Sequence, residues 1–241
     1  SFTPKLSPRL EQIAQMVPPG AVVADIGTDH AYLPIRLVQS GQVNQAIASD
    51  VSPGSLAKAR QAVVAARLEH KISLRLGSGL TVLAPGEAPT VVIAGLGPDT
   101  IAAIIQETPQ VAACTQLFIL QPMHNPGQLR RLLGQLGLML IDEHLVREKQ
   151  RFYVVMAVKI GTMPLFSPEL MEIGPCLVAK SDPWLPAYVA QKISQEEQIR
   201  SKIGHSPGRS AQVRRQLADQ RIHAWREILY GSESQLCDKL N

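Results

Sequence analysis

The sequence lacks the residues that mark several classes of protein. Aromatic residues make up only 4% of its 241 residues, too few for a surface built on stacking platforms for bases. The three cysteines, Cys114, Cys176 and Cys237, are far apart and match neither a C-x-x-C pair nor a disulfide framework. The histidines show no metal-ligand spacing, so we expect no metal site.

Long apolar runs are also missing. No uncharged apolar stretch reaches the roughly 18 residues that a membrane span needs, and the N-terminus lacks a signal-peptide pattern. We therefore expect a cytoplasmic protein with no membrane contact. Hydrophobic residues at 45% and charged residues at 18% provide for an ordinary packed core and exclude wholesale disorder.

The charge is slightly basic and unevenly placed. The net charge of +4 permits a polyanionic partner without requiring one. Residues 199–226 contain seven basic side chains and one acid, Asp219. Such a run can be a solvated helix face or a surface that binds nucleic acid.

Apolar strand patterns and helix patterns alternate over the first 136 residues. Ser7 and Pro8 begin a helix over residues 7–17. Strands are predicted at 21–27, 45–52, 72–80, 90–97 and 116–122, and helices at 30–41, 53–68, 99–107 and 126–136. This alternation predicts βαβ units with right-handed crossovers and a parallel sheet covered on both faces.

Two further strands, at 138–146 and 152–160, are separated only by a charged turn. No helix fits between them, so they are predicted to form an antiparallel hairpin at the sheet edge. The predicted fold class is therefore α/β, with a seven-stranded, mostly parallel sheet that ends in an antiparallel hairpin. That arrangement is typical of the class I methyltransferase variant of the Rossmann-like fold.

The composition changes after Gly161, where prolines punctuate a connecting segment. Two helix patterns follow, at 185–201 and 209–230. We therefore predict a catalytic domain over residues 1–161 and a small helical, coiled-coil-like domain over residues 162–241.

Ligands of an open α/β sheet bind beyond the carboxyl ends of its strands. The first predicted strand leads into Asp25, Gly27, Asp29 and His30. A single glycine stands where dinucleotide sites have three, so a pyrophosphate is poorly supported. Gly27 allows the backbone to approach a ligand, and the carboxylates suit a cation such as a sulfonium with its amino group. Asp25 can equally cap the following helix.

Three more strand ends carry small or acidic residues. Asp50 lies 23 residues beyond Gly27, near the spacing at which a carboxylate accepts the ribose hydroxyls of an adenosine. At the end of the third strand, Ser78 lies between two glycines and leaves room for a flat purine. At the end of the fourth, Gly95 and Gly97 form a floor where a methyl donor and its acceptor can meet. Each glycine can also be an ordinary loop residue.

The segment DIGTDHAYLP at residues 25–34, with LSPRLEQIAQMVPPG before it, resembles the opening of the bacterial tRNA adenine-22 N1-methyltransferases. The likeness continues through ASDVSPGSLAKA, VVIAGLG, FILQP and IGPCLVAKSDPWLPAYV, and so covers nearly the whole chain. The resemblance implies a Rossmann-like domain that uses S-adenosylmethionine (SAM) to methylate N1 of an adenine in the tRNA D-arm. It also implies that the C-terminal helical domain helps to grip tRNA.

The resemblance further implies a set of site residues. Those for the cofactor are Asp25, Gly27, Asp29 and His30 at the methionine side, Asp50 and Val51 at the ribose, Ser78 and Gly79 near the adenine, and Gly95, Leu96 and Gly97 at the floor. Apart from the resemblance, we expect the catalytic residues, beside the acceptor, to be Asp29, His30 and Tyr32. From the basic run and the first helix we expect the RNA contacts to be Arg9, Arg209, Arg214, Arg215 and Arg221. Arg9 can instead brace the pocket.

Two residues depart from the family pattern. Ser78 stands where members usually have aspartate, and Pro98 where they usually have glycine. The first change can weaken donor affinity, and Pro98 removes a backbone donor beside the acceptor pocket. Two alternatives to tRNA methylation therefore stay open. The chain can be a methyltransferase with a small-molecule or protein acceptor, or an RNA-binding homologue with weakened catalysis. We expect it to be a monomer or a weak dimer.

Overall fold

The computed structural model describes residues 2–204 and 208–237. The chain divides into two compact units, the first ending at Pro164 and the second beginning at Leu165. This division lies close to the boundary predicted at residue 161. No helix in the described part of the chain is both long and apolar enough to cross a membrane.

The first unit alternates strands and helices. Its strands are β1 (Gly20–Ile26), β2 (Val43–Asp50), β3 (Ile72–Leu76), β4 (Thr90–Leu96), β5 (Leu117–Pro122), β6 (Leu138–Glu148) and β7 (Arg151–Ile160). Its helices are α1 (Pro8–Met16), α2 (Tyr32–Gln39), α3 (Pro53–Ala66), α4 (Pro98–Gln106), α5 (Pro109–Cys114) and α6 (Pro126–Gln135). A single 3₁₀ turn at Gly79–Val82 follows β3.

The strands form one seven-stranded sheet in the order β3-β2-β1-β4-β5-β7-β6. Strands β1 to β5 are parallel, and β7 is antiparallel to both of its neighbours, β5 and β6. The predicted α/β fold class with its antiparallel hairpin is confirmed. Because β2, β1 and β4 are parallel neighbours, their carboxyl ends lie side by side. The strand order reverses between β1 and β4, and ligands of such sheets bind at that point.

The core is built by burial of the sheet on both faces. Val91, Val92 and Ile93 of β4 are completely buried, which is why this strand is a continuous apolar run. The first helix begins as predicted, because the Ser7 hydroxyl accepts a hydrogen bond from the Leu10 amide at 3.4 Å and a proline opens the first turn.

Some element ends differ from the prediction. Strand β3 ends at Leu76 instead of residue 80, because the chain turns at Gly77, whose amide donates to the Asp50 carbonyl at 3.1 Å. Strand β6 runs to Glu148 instead of residue 146, because Glu148 pairs with Arg151 across the turn. The short helix α5 has no counterpart among the predicted elements.

The second unit is helical. Its helices are α7 (Pro168–Ile173), α8 (Pro175–Ala179), α9 (Leu185–Ile203) and α10 (Arg209–Cys237). Helices α7 and α8 lie in the segment that was predicted as a connection. The prediction was wrong there because Pro168 and Pro175 occupy first helical positions, where proline is favourable, instead of interrupting the chain.

Helices α9 and α10 form an antiparallel pair. Arg200 of α9 pairs with Asp219 of α10 at 2.7 Å. Glu197, earlier on α9, pairs with Arg226, later on α10, at 2.8 Å. Trp225 of α10 is buried, and its indole N–H donates to a backbone carbonyl of α7 at 3.1 Å. The pair is therefore fastened by packing as well as by charge.

Candidate active site

The candidate site lies where β1, β2 and β4 end. Asp25, the next-to-last residue of β1, is in register with Ala48 of β2 and Val92 of β4. Asp50 is the last residue of β2, and Gly95 is the next-to-last residue of β4. The parallel register therefore gathers the predicted acidic and glycine residues at one edge of the sheet.

Asp25 is a buried carboxyl group at the centre of this edge. Its exposed fraction is 7%, and its Oδ2 accepts a hydrogen bond from the Thr28 hydroxyl at 2.6 Å. Burial raises the pKa of Asp25 to about 6; the Thr28 bond opposes the rise and the charge of Asp50 adds to it. In the described part of the chain, neither Asp25 nor Asp50 has a Lys or Arg partner, and no group of three or more His, Cys, Asp or Glu side chains could hold a metal ion. The uncompensated negative charge suits a cationic ligand and opposes a diphosphate.

The turn between β1 and α2 is tied to β2 by its backbone. The amides of Gly27 and Thr28 both donate to the Ser49 carbonyl at 2.9 Å. The Asp29 amide donates to Asp50 Oδ2 at 3.2 Å. Gly27 has φ +77° and nothing within 4 Å of a Cβ position, so its backbone borders open space, as a ligand cradle requires.

Asp50 keeps free acceptor capacity. Its Oδ1 accepts from the Ser52 amide at 2.8 Å, and its Oδ2 accepts the Asp29 bond. Because each carboxylate oxygen has a second lone pair, both can still accept from ribose hydroxyls. Val51 is 67% exposed, and Leu76 at the end of β3 is 57% exposed.

The predicted glycines have different structural roles. Gly79 is buried with φ +51°, and a Cβ there would lie 3.2 Å from Ile104 of α4. Gly79 therefore allows the 3₁₀ turn to pack closely on α4, while Ser78 before it is exposed. Gly95 has φ +76° and nothing within 4 Å of a Cβ position, so it borders open space as Gly27 does.

The floor segment connects β4 to α4. Gly97 is the residue before α4, and Pro98 is its first helical residue. An amide at that position has no partner within a helix, so the proline costs α4 no hydrogen bond. The Leu96 carbonyl accepts from the Met123 amide at 2.9 Å, which holds the floor to the segment that follows β5.

His30 and Tyr32 form a stacked aromatic pair beside Asp29. Their ring centroids are 5.1 Å apart and their planes are inclined by 25°. His30 Nε2 lies 3.3 Å from Asp29 Oδ2, and these side chains are 40% and 58% exposed, respectively. Phe2 also packs against Tyr32, with centroids 6.0 Å apart. The predicted acceptor-side residues are thus neighbours on an accessible surface.

Gln121 is a candidate site residue that the sequence prediction missed. It is 1% exposed at the carboxyl end of β5, and its Oε1 accepts from the Gly95 amide at 3.1 Å and from the Arg9 guanidinium of α1 at 3.2 Å. Its Nε2 donates to the Pro122 carbonyl at 2.7 Å. A polar amide inside the apolar strand FILQP is the signal that could have found it. Gln121 fixes the backbone of the floor.

The predicted RNA-contacting arginines of the second unit divide into bound and exposed side chains. Arg215 donates to the carbonyl that follows α9 at 2.7 Å, and Arg221 pairs with Glu196 at 3.3 Å. Arg209 and Arg214 are exposed, and neither has a partner among residues 2–204 and 208–237. The two exposed arginines are the ones available to an external anion.

The sheet order and the acidic strand edge are those of a methyltransferase domain, and the Methyltransferase domain family matches residues 6–156 of this chain. The tRNA (adenine(22)-N(1))-methyltransferase of Bacillus subtilis (strain 168) is 31% identical over 232 residues, which cover 93% of this chain and 97% of that relative. This chain belongs to the tRNA (adenine(22)-N(1))-methyltransferase family, as the segment DIGTDHAYLP predicts.

Solved structures support the same relationship. The B. subtilis m1A22 tRNA methyltransferase TrmK has a TM-score of 0.83 and 30% identity, covering 93% of this chain and 99% of that chain. The M. capricolum TrmK, in complex with its natural cofactor product S-adenosylhomocysteine (SAH), has a TM-score of 0.77 and 25% identity, covering 93% and 97%. The shared fold thus extends over most of each chain.

The raised pKa of Asp25 predicts a stability that depends on pH. The folded state holds the proton more tightly than the unfolded chain, so the free energy of unfolding falls as pH rises from about 4 through about 6. The Asp25→Asn substitution removes the titrating carboxyl group, so the variant does not lose this free energy of unfolding as pH rises. Its side-chain carbonyl can still accept the hydrogen bond from the Thr28 hydroxyl. We expect the variant to be more stable than the wild type at pH 8, by up to about 3 kcal/mol.

Urea unfolding at pH 4 and pH 8 measures this effect. The difference between the variant and the wild type should shrink towards zero at pH 4, where Asp25 is protonated in the folded state. An equal difference at both pH values would mean that the substitution acts through packing and not through charge.

Proposed function

We propose that this chain transfers the methyl group of SAM to N1 of adenine 22 of tRNA. The observation that carries the proposal is the buried carboxyl group of Asp25, which has no Lys or Arg partner among the described residues, in a member of this family. SAM carries positive charge at its sulfur and its amino group, so it would compensate the negative charge of the strand edge. The open space beside Gly27 and Gly95 also fits a ligand that lies against the backbone.

The predicted cofactor residues form groups along the strand edge, according to the part of SAM that each group would contact. The proposed contacts are Asp25, Gly27, Asp29 and His30 for the methionine part, Asp50 and Val51 for the ribose, Ser78 and Gly79 for the adenine, and Gly95, Leu96 and Gly97 for the floor. Asp50 suits the ribose because both of its oxygens retain a lone pair. The Ser78 hydroxyl can donate or accept a hydrogen bond where other members usually have a carboxylate.

The chemistry needs positioning more than proton transfer. SAM supplies an electrophilic methyl group when it is bound. Adenine N1 has a lone pair in the neutral base, so no strong general base is required before attack, and the chain acts mainly by alignment. N1 lies on the Watson–Crick edge, so a paired or stacked adenine must first be swung out, at a cost of a few kcal/mol.

The His30–Tyr32 pair supports the acceptor side of the proposal. Its stacked rings offer a flat aromatic surface next to the turn that carries Asp29. A displaced base can be held against such a surface by stacking. We assign Asp29, His30 and Tyr32 to the acceptor side on this basis.

The second unit supplies candidate contacts to the tRNA backbone. Arg209 and Arg214 have no partner among the described residues and can bind phosphate, whereas Arg215 and Arg221 already bind groups of the helical pair. We therefore infer that the exposed arginines contribute more to tRNA affinity than the paired ones. We infer from this substrate that the chain acts in the cytoplasm.

SAM affinity should depend on pH through Asp25. At pH 5, with a pKa of about 6, only about a tenth of the free chain has Asp25 ionised. We expect the SAM dissociation constant to be about tenfold higher at pH 5 than at pH 8, by isothermal titration calorimetry. The Asp25→Asn variant should bind weakly at both pH values. A wild-type affinity that does not change with pH would remove Asp25 from the cofactor site.

Methylation should occur at one nucleotide and require Asp50. With methyl-tritiated SAM, an unmodified tRNA transcript should accept label, and reverse transcription should stop at position 22. A transcript with guanine at that position should not accept label. Asp50→Ala should lose SAM binding and methyl transfer but still bind tRNA, while Glu107→Ala, at the far end of α4, should behave as the wild type. Label in a small molecule or protein, and none in tRNA, would favour the alternative acceptors.

The arginines of α10 with and without described partners can be compared in two double variants that each lose two positive charges. Arg209→Ala with Arg214→Ala should lower the slope of log affinity against log salt by about 1.5, because each lost phosphate contact removes about 0.7 to 0.9. Arg221→Ala with Arg226→Ala removes the same charge but breaks pairs with Glu196 and Glu197. We expect the second variant to keep the wild-type slope. Equal slopes for both variants would mean that net charge alone sets the affinity.

A further inference from the structure

The turn of the β6–β7 hairpin projects beyond the carboxyl end of β5. Leu120 of β5 lies opposite Met156 of antiparallel β7. Tyr153, three residues earlier on β7, is therefore level with Met123, just past the last residue of β5. The hairpin tip, defined as residues 148–151, extends further in the same direction. It stands beyond the strand end that carries Gln121.

Arg9 of α1 fastens the hairpin tip. Its backbone amide donates to Glu148 Oε1 at 2.9 Å, and its Nε donates to Glu148 Oε2 at 3.1 Å. The two side chains are 24% and 20% exposed, respectively. Both oxygens of Glu148 thus bind one residue, in a partly buried setting that screens the pair less than open solvent does.

Arg9 also connects the hairpin tip to the floor of the site. Its guanidinium carbon lies 4.5 Å from the centroid of the Tyr153 ring, a cation–π distance. Its NH1 donates to Gln121 Oε1 at 3.2 Å, and the same oxygen accepts from the Gly95 amide. One guanidinium therefore joins α1, the hairpin and the floor segment.

The pairing of Glu148 leaves the hairpin tip positively charged. Lys149 and Arg151 are exposed, and their side chains have no partner among the described residues. With Tyr153, the hairpin tip lines an open cavity of about 600 Å³. Two cations without described partners beside a paired acid present net positive charge at the hairpin tip, a pattern that suits the phosphates of a nucleic acid.

We propose that the hairpin tip is a second tRNA-binding surface, at which Lys149 and Arg151 bind backbone phosphates flanking the target adenine, and that Arg9 is the positioning residue that holds it. The inference rests on the proposed function. A base that enters the site brings its flanking phosphates to the rim, where cations are needed. Arg9 serves this surface through Glu148 and Gln121, and not by contacting RNA itself.

The first test removes the two free cations. Lys149→Ala with Arg151→Ala should weaken binding of an unmodified tRNA transcript about tenfold at low salt, and should lower the salt slope by about 1.5. The SAH dissociation constant should not change, which also reports that the variant is folded. Lys159→Ala, near the opposite end of β7 and exposed like Arg151, is a control that removes one positive charge and should leave tRNA binding unchanged.

The second test separates positioning by Arg9 from direct phosphate binding. Arg9→Ala should lower kcat for tRNA methylation at least tenfold and leave SAH affinity intact. Glu148→Gln should lower kcat in the same way, although removing a negative charge next to RNA would by itself favour binding. The double variant should be no worse than either single variant, because the two residues act as one unit. A normal kcat for Glu148→Gln would overturn the positioning role.

The outcomes distinguish this inference from the proposed function. If the wild-type chain transfers no methyl group to tRNA, the proposed function fails. If the wild-type chain methylates tRNA and the Lys149–Arg151 variant keeps the full salt slope, the hairpin inference alone is overturned. Because the salt slope is a binding measurement, it decides the hairpin inference whether or not methylation is detected.

Discussion

The burial of Asp25, with no Lys or Arg partner in the part of the chain that the structure describes, is the constraint on which the rest of the site depends. An ionised carboxyl group taken out of water destabilises the folded state. The burial of the apolar side chains of the sheet offsets this free-energy cost. The Thr28 hydroxyl satisfies one carboxylate oxygen without neutralising the charge. The folded chain therefore holds negative charge that a cationic ligand can compensate, and this is how the fold couples its stability to its ligand.

The same strand edge holds unfavourable backbone conformations. Asp29 and Ala31 have φ +51° and +54°, values that residues with a Cβ rarely adopt. They persist because hydrogen bonds to the Ser49 carbonyl and the Asp50 carboxylate hold the turn to the end of β2. Buried charge and strained backbone thus occur together at the end of β1. Their combination indicates a site whose geometry is set by the fold before a ligand binds.

The parts of this structure that the sequence predicts are those with local signals. Apolar runs and helix caps predict the sheet and its helices, and the strand-end rule places Asp25 and Asp50 at one edge. The contacts around Arg9 have no such signal, because Glu148 and Gln121 are 139 and 112 residues away from it in the chain. Helices α7 and α8 were missed for a different reason: proline interrupts a helix in its interior but favours its first turn.

In tRNA methylation, the negative and positive charges of the first unit would serve two different ligands, the cationic donor and the RNA backbone. The acidic edge that attracts a cationic donor repels phosphates, so a neutral base can enter while the RNA backbone must stay outside. Cations are then needed at the rim, outside the acidic edge. The Arg9–Glu148 pair permits this arrangement, because it anchors the hairpin tip with no net charge of its own. Lys149 and Arg151 can therefore attract phosphates while the donor site keeps its negative charge.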